Sequence, residues 1–345
     1  MYNFQKVLYV GPLVYKAKVL SKMIENSGKT WHSVTFNTNE KTKNKTKESF
    51  SSLLKEDNPD LVIIYDNRPG PLFDVLKENK GQHRVAYWHG DWTPLRKRWC
   101  ALGIEAHYTK ECPIDYLFVV SAGHIKQYRR DLNTRVVSFL PHEFAYDYKN
   151  PIVDPYFGSE VAFLGQCGNY SDDTYYKMRK EFVAYLIEHG CPLRIFPDTS
   201  DLIVKPKQEA LGIYSRRAGT HKNQYLDKTY GSGKIFLGID TDRLHKTFGY
   251  LSSRPFSTMG FGSFYLAWQT NGIERLFIPG KHLETFSSFE EGWDKIKYYL
   301  KNEKERSKIA QAGRNQVFAK HLIKHRLRDM LLTIKFEKPI FSSWI

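Results

Sequence analysis

The sequence predicts an α/β protein built as two doubly wound domains in tandem. Three features carry this reading. Short apolar runs behave as buried parallel strands, amphipathic intervals between them behave as helices, and a Pro- and Tyr-rich stretch from Pro141 to Pro155 interrupts the alternation. A chain of 345 residues is long enough for two domains of ordinary size, each with its own core. The domains are placed at 1–145 and 150–320. Residues 321–345 are expected to form a C-terminal helix and tail packing back toward the first domain.

The first strand is Lys6–Val10, running into Gly11-Pro12 and a helix from about Tyr15 to Asn26; strand, glycine turn and helix open a βαβ unit. Asn37–Glu48 carries Lys41, Lys43, Lys45 and Lys47 without an apolar period and reads as an exposed loop or a polar helix start. Asp60–Tyr65 contains Leu61, Val62, Ile63 and Ile64, the continuous run expected of a strand covered on both faces. Arg84–Trp88, Tyr116–Val120 and Val136–Phe139 continue the series. In the second domain Val161–Leu164 ends at Gly165 and leads to a helix around Tyr175–His189. Leu193–Phe196, Ile235–Gly238, Ser263–Trp268 and Arg275–Phe277 are the further expected strands. Phe289, Trp293, Ile296 and Tyr299 or Leu300 recur at three-to-four spacing, the stripe of a helix with one buried face. Glu303–Val317 and Lys320–Ile334 read as two more helices.

Composition excludes several classes. With 41% hydrophobic and 26% charged residues the chain is globular rather than disordered, and it has no apolar run long enough for a membrane span. Cys100, Cys112, Cys167 and Cys191 are too scattered for a disulfide scaffold. Cys100, His107 and Cys112 match no common zinc spacing, and Asp240 and Asp242 read as a solvated loop, so no metal is expected. Met1–Val10 has no apolar core of a secretory signal, and a cytoplasmic protein is expected. The net charge of +15 is shared between the halves, with 22 basic against 15 acidic side chains in residues 1–145 and 30 against 22 in the rest. Such a surface attracts phosphate-rich or otherwise anionic partners, although solubility alone is also served by it. No helix-turn-helix, zinc finger or RNP-type motif is present, which argues against a protein that only reads DNA sequence.

The last third holds the most specific pattern. Ser253-Arg-Pro-Phe-Ser-Thr-Met-Gly-Phe-Gly262 leads to Ser263-Phe-Tyr-Leu266, then to Thr270-Asn-Gly-Ile-Glu-Arg-Leu-Phe277, Pro279-Gly-Lys281 and Ile309-Ala-Gln-Ala-Gly-Arg314. Upstream stand Leu140-Pro-His142, Val161-Ala-Phe-Leu-Gly165 and Tyr230-Gly-Ser-Gly-Lys-Ile-Phe-Leu237. In order and spacing this resembles the CgeB-like, or spore-maturation-like, glycosyltransferases, densely over residues 136–332 and thinly before. A phage-type DNA-modifying member, acting in the host cytoplasm, fits the same resemblance. It implies a GT-B fold of two Rossmann-like domains facing a central cleft, and transfer of a sugar, with retention, from a nucleotide sugar (a UDP-sugar above all). The donor would be held mainly by the second domain and the acceptor by the first.

The residues support that assignment in the following way. Arg254 is similar to an arginine the family keeps near the phosphates, where it would clamp the leaving diphosphate. Lys234, entering a strand beside glycines, suits a phosphate contact. Gly260 and Gly262 permit close backbone approach to an anion, or serve packing alone. Gly11 and Gly165, each closing the first strand of its domain, join the nucleotide-sugar set. Thr270 and Asn271 form a polar turn after a buried strand, the expected rim of a nucleotide crevice. Glu274 contacts the donor or caps a helix there. Many retaining GT-B enzymes carry two glutamates eight positions apart. Here Gly249 and Ser257 stand at those places, and the Ser257 hydroxyl can still bond a ribose but not as a charged bidentate acceptor.

On the acceptor side Trp88-His-Gly-Asp-Trp-Thr-Pro94 follows a strand and should lie at its carboxyl end. His89 and Asp91 are candidate catalytic groups, His89 as a donor to a sugar hydroxyl and Asp91 to orient it or accept the acceptor's proton. Trp88 and Trp92 offer flat faces for a sugar or base. Asp66 and Arg68, with Asn67 between them, close the preceding strand as a second rim, and His142 lies at the domain junction. Arg96, Lys97 and Arg98, with Lys126, Arg129 and Arg130, could form a track for a phosphate backbone. Hydroxymethylated bases in double-stranded DNA are therefore the preferred acceptor, ahead of an anionic surface polymer or a small molecule. The missing glutamates also leave open a binding protein without catalysis, and an epimerase of nucleotide sugars is the third class.

Overall fold

The computed structural model describes residues 4–11, 15–36, 43–65, 70–90, 113–144, 151–165, 177–196, 226–239 and 250–341. They divide into two compact units. The first comprises residues up to Pro141 together with Ile323–Ser343, and the second runs from His142 to Leu322.

The first unit contains β1 (Lys6–Val10), α1 (Tyr15–Glu25), β2 (Thr30–Val34), α2 (Lys43–Asp57), β3 (Leu61–Ile64), α3 (Gly70–Glu78), β4 (Arg84–His89), β5 (Tyr116–Val119), α4 (Ile125–Asp131) and β6 (Val136–Phe139). Its six strands pair in parallel in the order β2-β1-β3-β4-β5-β6. Central strands such as β3 are buried at every residue, as their unbroken apolar sequences require. Alternate residues feed two cores. Val62, Ile64, Val85 and Tyr87 pack with Phe50 and Leu54 of α2 on one face. Ile63, Ala86 and Trp88 pack with Leu20 and Ile24 of α1 on the other.

The second unit contains β7 (Ser159–Leu164), α5 (Lys177–Glu188), β8 (Leu193–Phe196), α6 (Leu226–Ser232), β9 (Gly233–Gly238), α7 (Arg254–Gly260), β10 (Phe264–Trp268), β11 (Glu284–Phe286), α8 (Phe289–Lys301) and α9 (Glu303–Lys320). Its strands run parallel in the order β11-β10-β9-β7-β8. The last helix, α10 (Ile323–Phe336), returns to the first unit, where Ile323, Leu327, Met330, Leu331 and Ile334 join the core beside α1.

Several expected elements are corrected. Thr30–Val34 is an edge strand absent from the sequence reading, and its half-exposed pattern hides it from any test based on continuous burial. Of Asn37–Glu48, the described end from Lys43 opens a helix of fifteen residues, as the polar helix start among its two readings expects. Arg275–Phe277 is not a strand. Gly272 sits in the left-handed region at φ 89° and starts a short turn of 3-10 helix, Ile273–Arg275. The fifth strand of the sheet is Glu284–Phe286 instead.

Candidate functional site

In an open parallel sheet, ligands bind outside the carboxyl ends of the strands where the strand order reverses. The second unit reverses between β7 and β9. Arg254, the first residue of α7, sits there: its Nε donates to the Leu164 carbonyl at 2.9 Å and its Nη1 to the Ile239 carbonyl at 3.4 Å. Leu164 ends β7 and Ile239 follows β9, so one partly buried guanidinium spans the switch point. Gly165 makes room for it, since a Cβ there would lie 3.0 Å from Arg254 Nη2. Of the residues read as donor-binding, Arg254, Gly165, Thr270, Asn271 and Glu274 all fall at this end of the sheet. Thr270 is buried, with its hydroxyl donating to the Trp268 carbonyl at 3.2 Å; Asn271 and Glu274 are exposed.

Four other donor-side residues of this unit do not join them. Lys234 is the second residue of β9 and therefore lies at the amino end of the parallel sheet. Four residues at about 3.3 Å each separate it by about 13 Å from the end of its own strand, and its Nζ pairs at 2.8 Å with Glu160, at the amino end of the neighbouring β7. Gly260 and Gly262 follow α7 down to that same amino end. A Cβ on Gly260 would lie 2.2 Å from the Phe144 ring, so it is a packing glycine. Gly262, at φ 90°, is the left-handed residue just past the helix. Ser257 is buried inside α7, where its backbone continues the helix.

Sequence reading missed Arg179. This α5 residue is 4% exposed; its Nε donates at 2.9 Å to the Ile239 carbonyl that also receives Arg254. Both guanidinium carbons lie over the Phe163 ring, at 5.4 Å for Arg179 and 5.5 Å for Arg254. A signal was present: Arg179, Phe182, Val183 and Leu186 form the buried stripe of α5, and the first of these is a charged residue where an apolar one is expected.

In the first unit the order reverses between β1 and β3. Gly11 follows β1 there, and a Cβ on it would lie 2.6 Å from the Tyr65 carbonyl; one on Gly90 would lie 2.7 Å from Tyr65 Oη. The backbones at the ends of β1 and β4 thus close around Tyr65. Trp88 is a core residue rather than a stacking platform, 2% exposed and packed against Tyr65 with ring centroids 5.1 Å apart. His89 is equally buried, with Nδ1 3.1 Å from Tyr87 Oη, and is not displayed on a loop surface. His142 is partly buried in the connector that precedes Phe144. Asp66, Arg68, Asp91, Trp92, Arg96, Lys97 and Arg98 lie outside the described residues, as do Cys100, His107 and Cys112. Among the described residues, no group of three His, Cys, Asp or Glu side chains is placed to hold a metal, and no helix is long and apolar enough to cross a membrane.

Residues 205–332 match a family model described as glycosyl transferase-like. No curated protein matches the chain. Among solved structures, sucrose-phosphate synthase from Thermosynechococcus elongatus is similar at a TM-score of 0.63 and 10% identity, covering 94% of this chain and 97% of that one. The Anabaena protein HepE in complex with UDP and glucose is similar at 0.62 and 9%, covering 96% and 99%. An alpha-glucosyltransferase in complex with UDP-glucose and DNA containing an abasic site is similar at 0.61 and 10%, with the same coverage. Likeness over nearly the whole length identifies the two Rossmann-like units as those of the GT-B fold.

Proposed function

We propose that the protein is a nucleotide-sugar-dependent glycosyltransferase whose second unit holds the donor, a UDP-sugar. The observation that carries this reading is the Arg254 guanidinium at the β7–β9 switch point, with the Thr270–Glu274 turn at the same end of the sheet. A donor diphosphate gains negative charge as the glycosyl bond breaks, and a fixed guanidinium stabilises that charge more in the transition state than in the ground state. The family match over 205–332 falls largely in this unit, and UDP or UDP-glucose is named for two of the similar structures. The finer reading is a CgeB-like, retaining enzyme of the cytoplasm that needs no metal. It has its donor domain within 150–320 and its acceptor side in 1–145.

For the acceptor, the order expected from charge is reversed: a small molecule or surface polymer ranks ahead of DNA. Some of the basic side chains, Lys47, Arg135, Lys228 and Lys234 among them, are paired with the acids Asp74, Asp115, Asp154 and Glu160, and sucrose-phosphate synthase, named for a small-molecule product, is among the similar structures. DNA remains the second reading because one similar structure contains it and the net charge is +15. The test is calorimetric titration with a panel of nucleotide sugars, then transfer assays on simple sugars, an anionic polysaccharide and hydroxymethylated duplex DNA. Failure to bind or turn over any nucleotide sugar would refute the glycosyltransferase reading, and transfer to the duplex alone would restore DNA as the acceptor.

A further inference from the structure

We infer that Arg179 is a positioning residue, which keeps the guanidinium of Arg254 from being drawn fully onto the backbone carbonyls of the switch point by sharing its carbonyl acceptor and its aromatic support. The inference rests on the reading of Arg254 as the diphosphate contact. It adds a residue from a different helix that neither the motifs nor the comparisons assign.

The cost of the arrangement is the first argument. Arg179 is 4% exposed and occupies a stripe otherwise made of Phe182, Val183 and Leu186. A buried guanidinium is unfavourable by several kcal/mol before its hydrogen bonds are counted, and an apolar residue of similar volume would fill the same stripe without that penalty. A role in packing alone therefore does not account for the residue type.

Geometry supplies the second argument. The Ile239 carbonyl has two lone pairs. Arg179 Nε takes one at 2.9 Å, a full hydrogen bond, and Arg254 Nη1 approaches at 3.4 Å, the looser of the two. Arg254 Nε donates to the Leu164 carbonyl at 2.9 Å, the shorter of its two bonds to these carbonyls. With Arg179 in place the Ile239 carbonyl is partly committed, so the second arm of Arg254 is held short of a full inward bond. Removing Arg179 frees that lone pair and part of the Phe163 face, and Arg254 can then draw inward onto both carbonyls. A guanidinium spent on backbone carbonyls is a poorer partner for an incoming phosphate, because its fork of donors is what matches phosphate oxygens.

The test is a double-mutant cycle with UDP as the probe. Affinity is measured by calorimetry for the wild type, Arg179→Lys, Arg254→Ala and the double variant, each checked by thermal unfolding. Arg179→Gln, neutral and shorter, is the second variant should the lysine fail to fold. Coupled residues do not act additively, whereas independent ones do. Arg179→Lys should weaken UDP binding about tenfold in the Arg254 background and leave it unchanged when Arg254 is already alanine. Losses that multiply in the double variant would overturn the inference, as would unchanged binding in the single one. A readout without nucleotide separates this from the function itself: the Arg254 Nε–H resonance, assigned by its loss in Arg254→Lys, should shift in Arg179→Lys. If the wild type binds no UDP, the donor reading falls and the resonance still decides whether Arg179 positions Arg254. An unshifted signal then refutes the positioning role.

Discussion

Replacing Arg254 or Lys234 by alanine separates the two ends of the second sheet. Both side chains are cations next to glycine-containing segments, and the sequence reading places both at the diphosphate. The structure puts Arg254 across the carboxyl ends of β7 and β9, and Lys234 about 13 Å away from that end of β9, at the amino end of the sheet. Loss of a preorganised charge-stabilising donor typically lowers turnover by about 10²–10³, equivalent to roughly 3–4 kcal/mol. Arg254→Ala should fall in that range, mainly in kcat. Lys234 contributes one half-exposed ion pair with Glu160, a contact worth at most about 1 kcal/mol of stability and less in salt. Lys234→Ala should therefore leave donor affinity and initial rates within about twofold of the wild type. The assay is a steady-state series with whichever nucleotide sugar the donor panel identifies, following release of its nucleotide, with donor titrations beside it. An Arg254→Ala protein with wild-type rates, or a Lys234→Ala protein that loses turnover tenfold while remaining folded, would show that the functional end of the sheet has been chosen wrongly.

Other consequences concern packing and titration. Gly260→Ala should destabilise the fold by about 1–3 kcal/mol, because the added methyl meets the Phe144 ring. Gly313→Ala in α9 should also destabilise, although glycine to alanine inside a helix normally gains up to about 1 kcal/mol. Its Cβ would lie 2.2 Å from the His282 carbonyl, and a urea midpoint that rises instead would refute this. Desolvation pushes the Cys191 thiol up to about 12. In a variant with the other three cysteines replaced by serine, Cys191 should be silent to a thiol reagent at pH 8 until denaturant is added. Burial, reinforced by Lys324, Arg326 and Arg328, lowers His325 from 6.5 to about 4. The unfolded chain then binds the proton more readily, so stability present above pH 6.5 should be lost as pH falls from 6.5 toward 4. His325→Gln should flatten that slope in denaturant titrations, and an unchanged slope would count against it. His282, also lowered by burial, acts with the same sign.

The fold was legible where burial is symmetric. Leu61–Ile64 and Val136–Phe139 are strands because parallel strands covered on both faces must be apolar at every position, and no helix of that length forms alone. Legibility failed at the edges. Thr30–Val34 mixes exposed and half-buried residues, and with Ser33 between His32 and Val34 its apolar side chains, Trp31 and Val34, fall out of strict alternation. Ser253–Gly262 carries Pro255 and two glycines, a composition that hides the helix Arg254–Gly260. Proline in the first turn of a helix is permitted, however, and the glycines are a packing contact and the residue that ends it. The helix matters for the site, because between β9 and β10 it carries Gly260 and Gly262 to the amino end of the sheet.

The site obeys the same logic, and strand direction decides it. A glycine beside a lysine satisfies a local picture of phosphate binding, yet that picture is blind to which end of the strand the pair occupies. Lys234 comes before its strand's apolar core, Ile235-Phe-Leu237, while Gly165 and Ile239 come after theirs. In a parallel sheet that difference in order is a difference of a whole strand length in space. Arg254 survives the criterion because it follows a strand and precedes the next one, and so enters its helix from the carboxyl end. Arg179 satisfies it as well, near the start of the helix after β7. It escaped notice because no motif surrounds it, only a charge in an apolar stripe. Polarity out of pattern and position relative to strand direction are both sequence properties, and together they select Arg179 and Arg254 and reject Lys234.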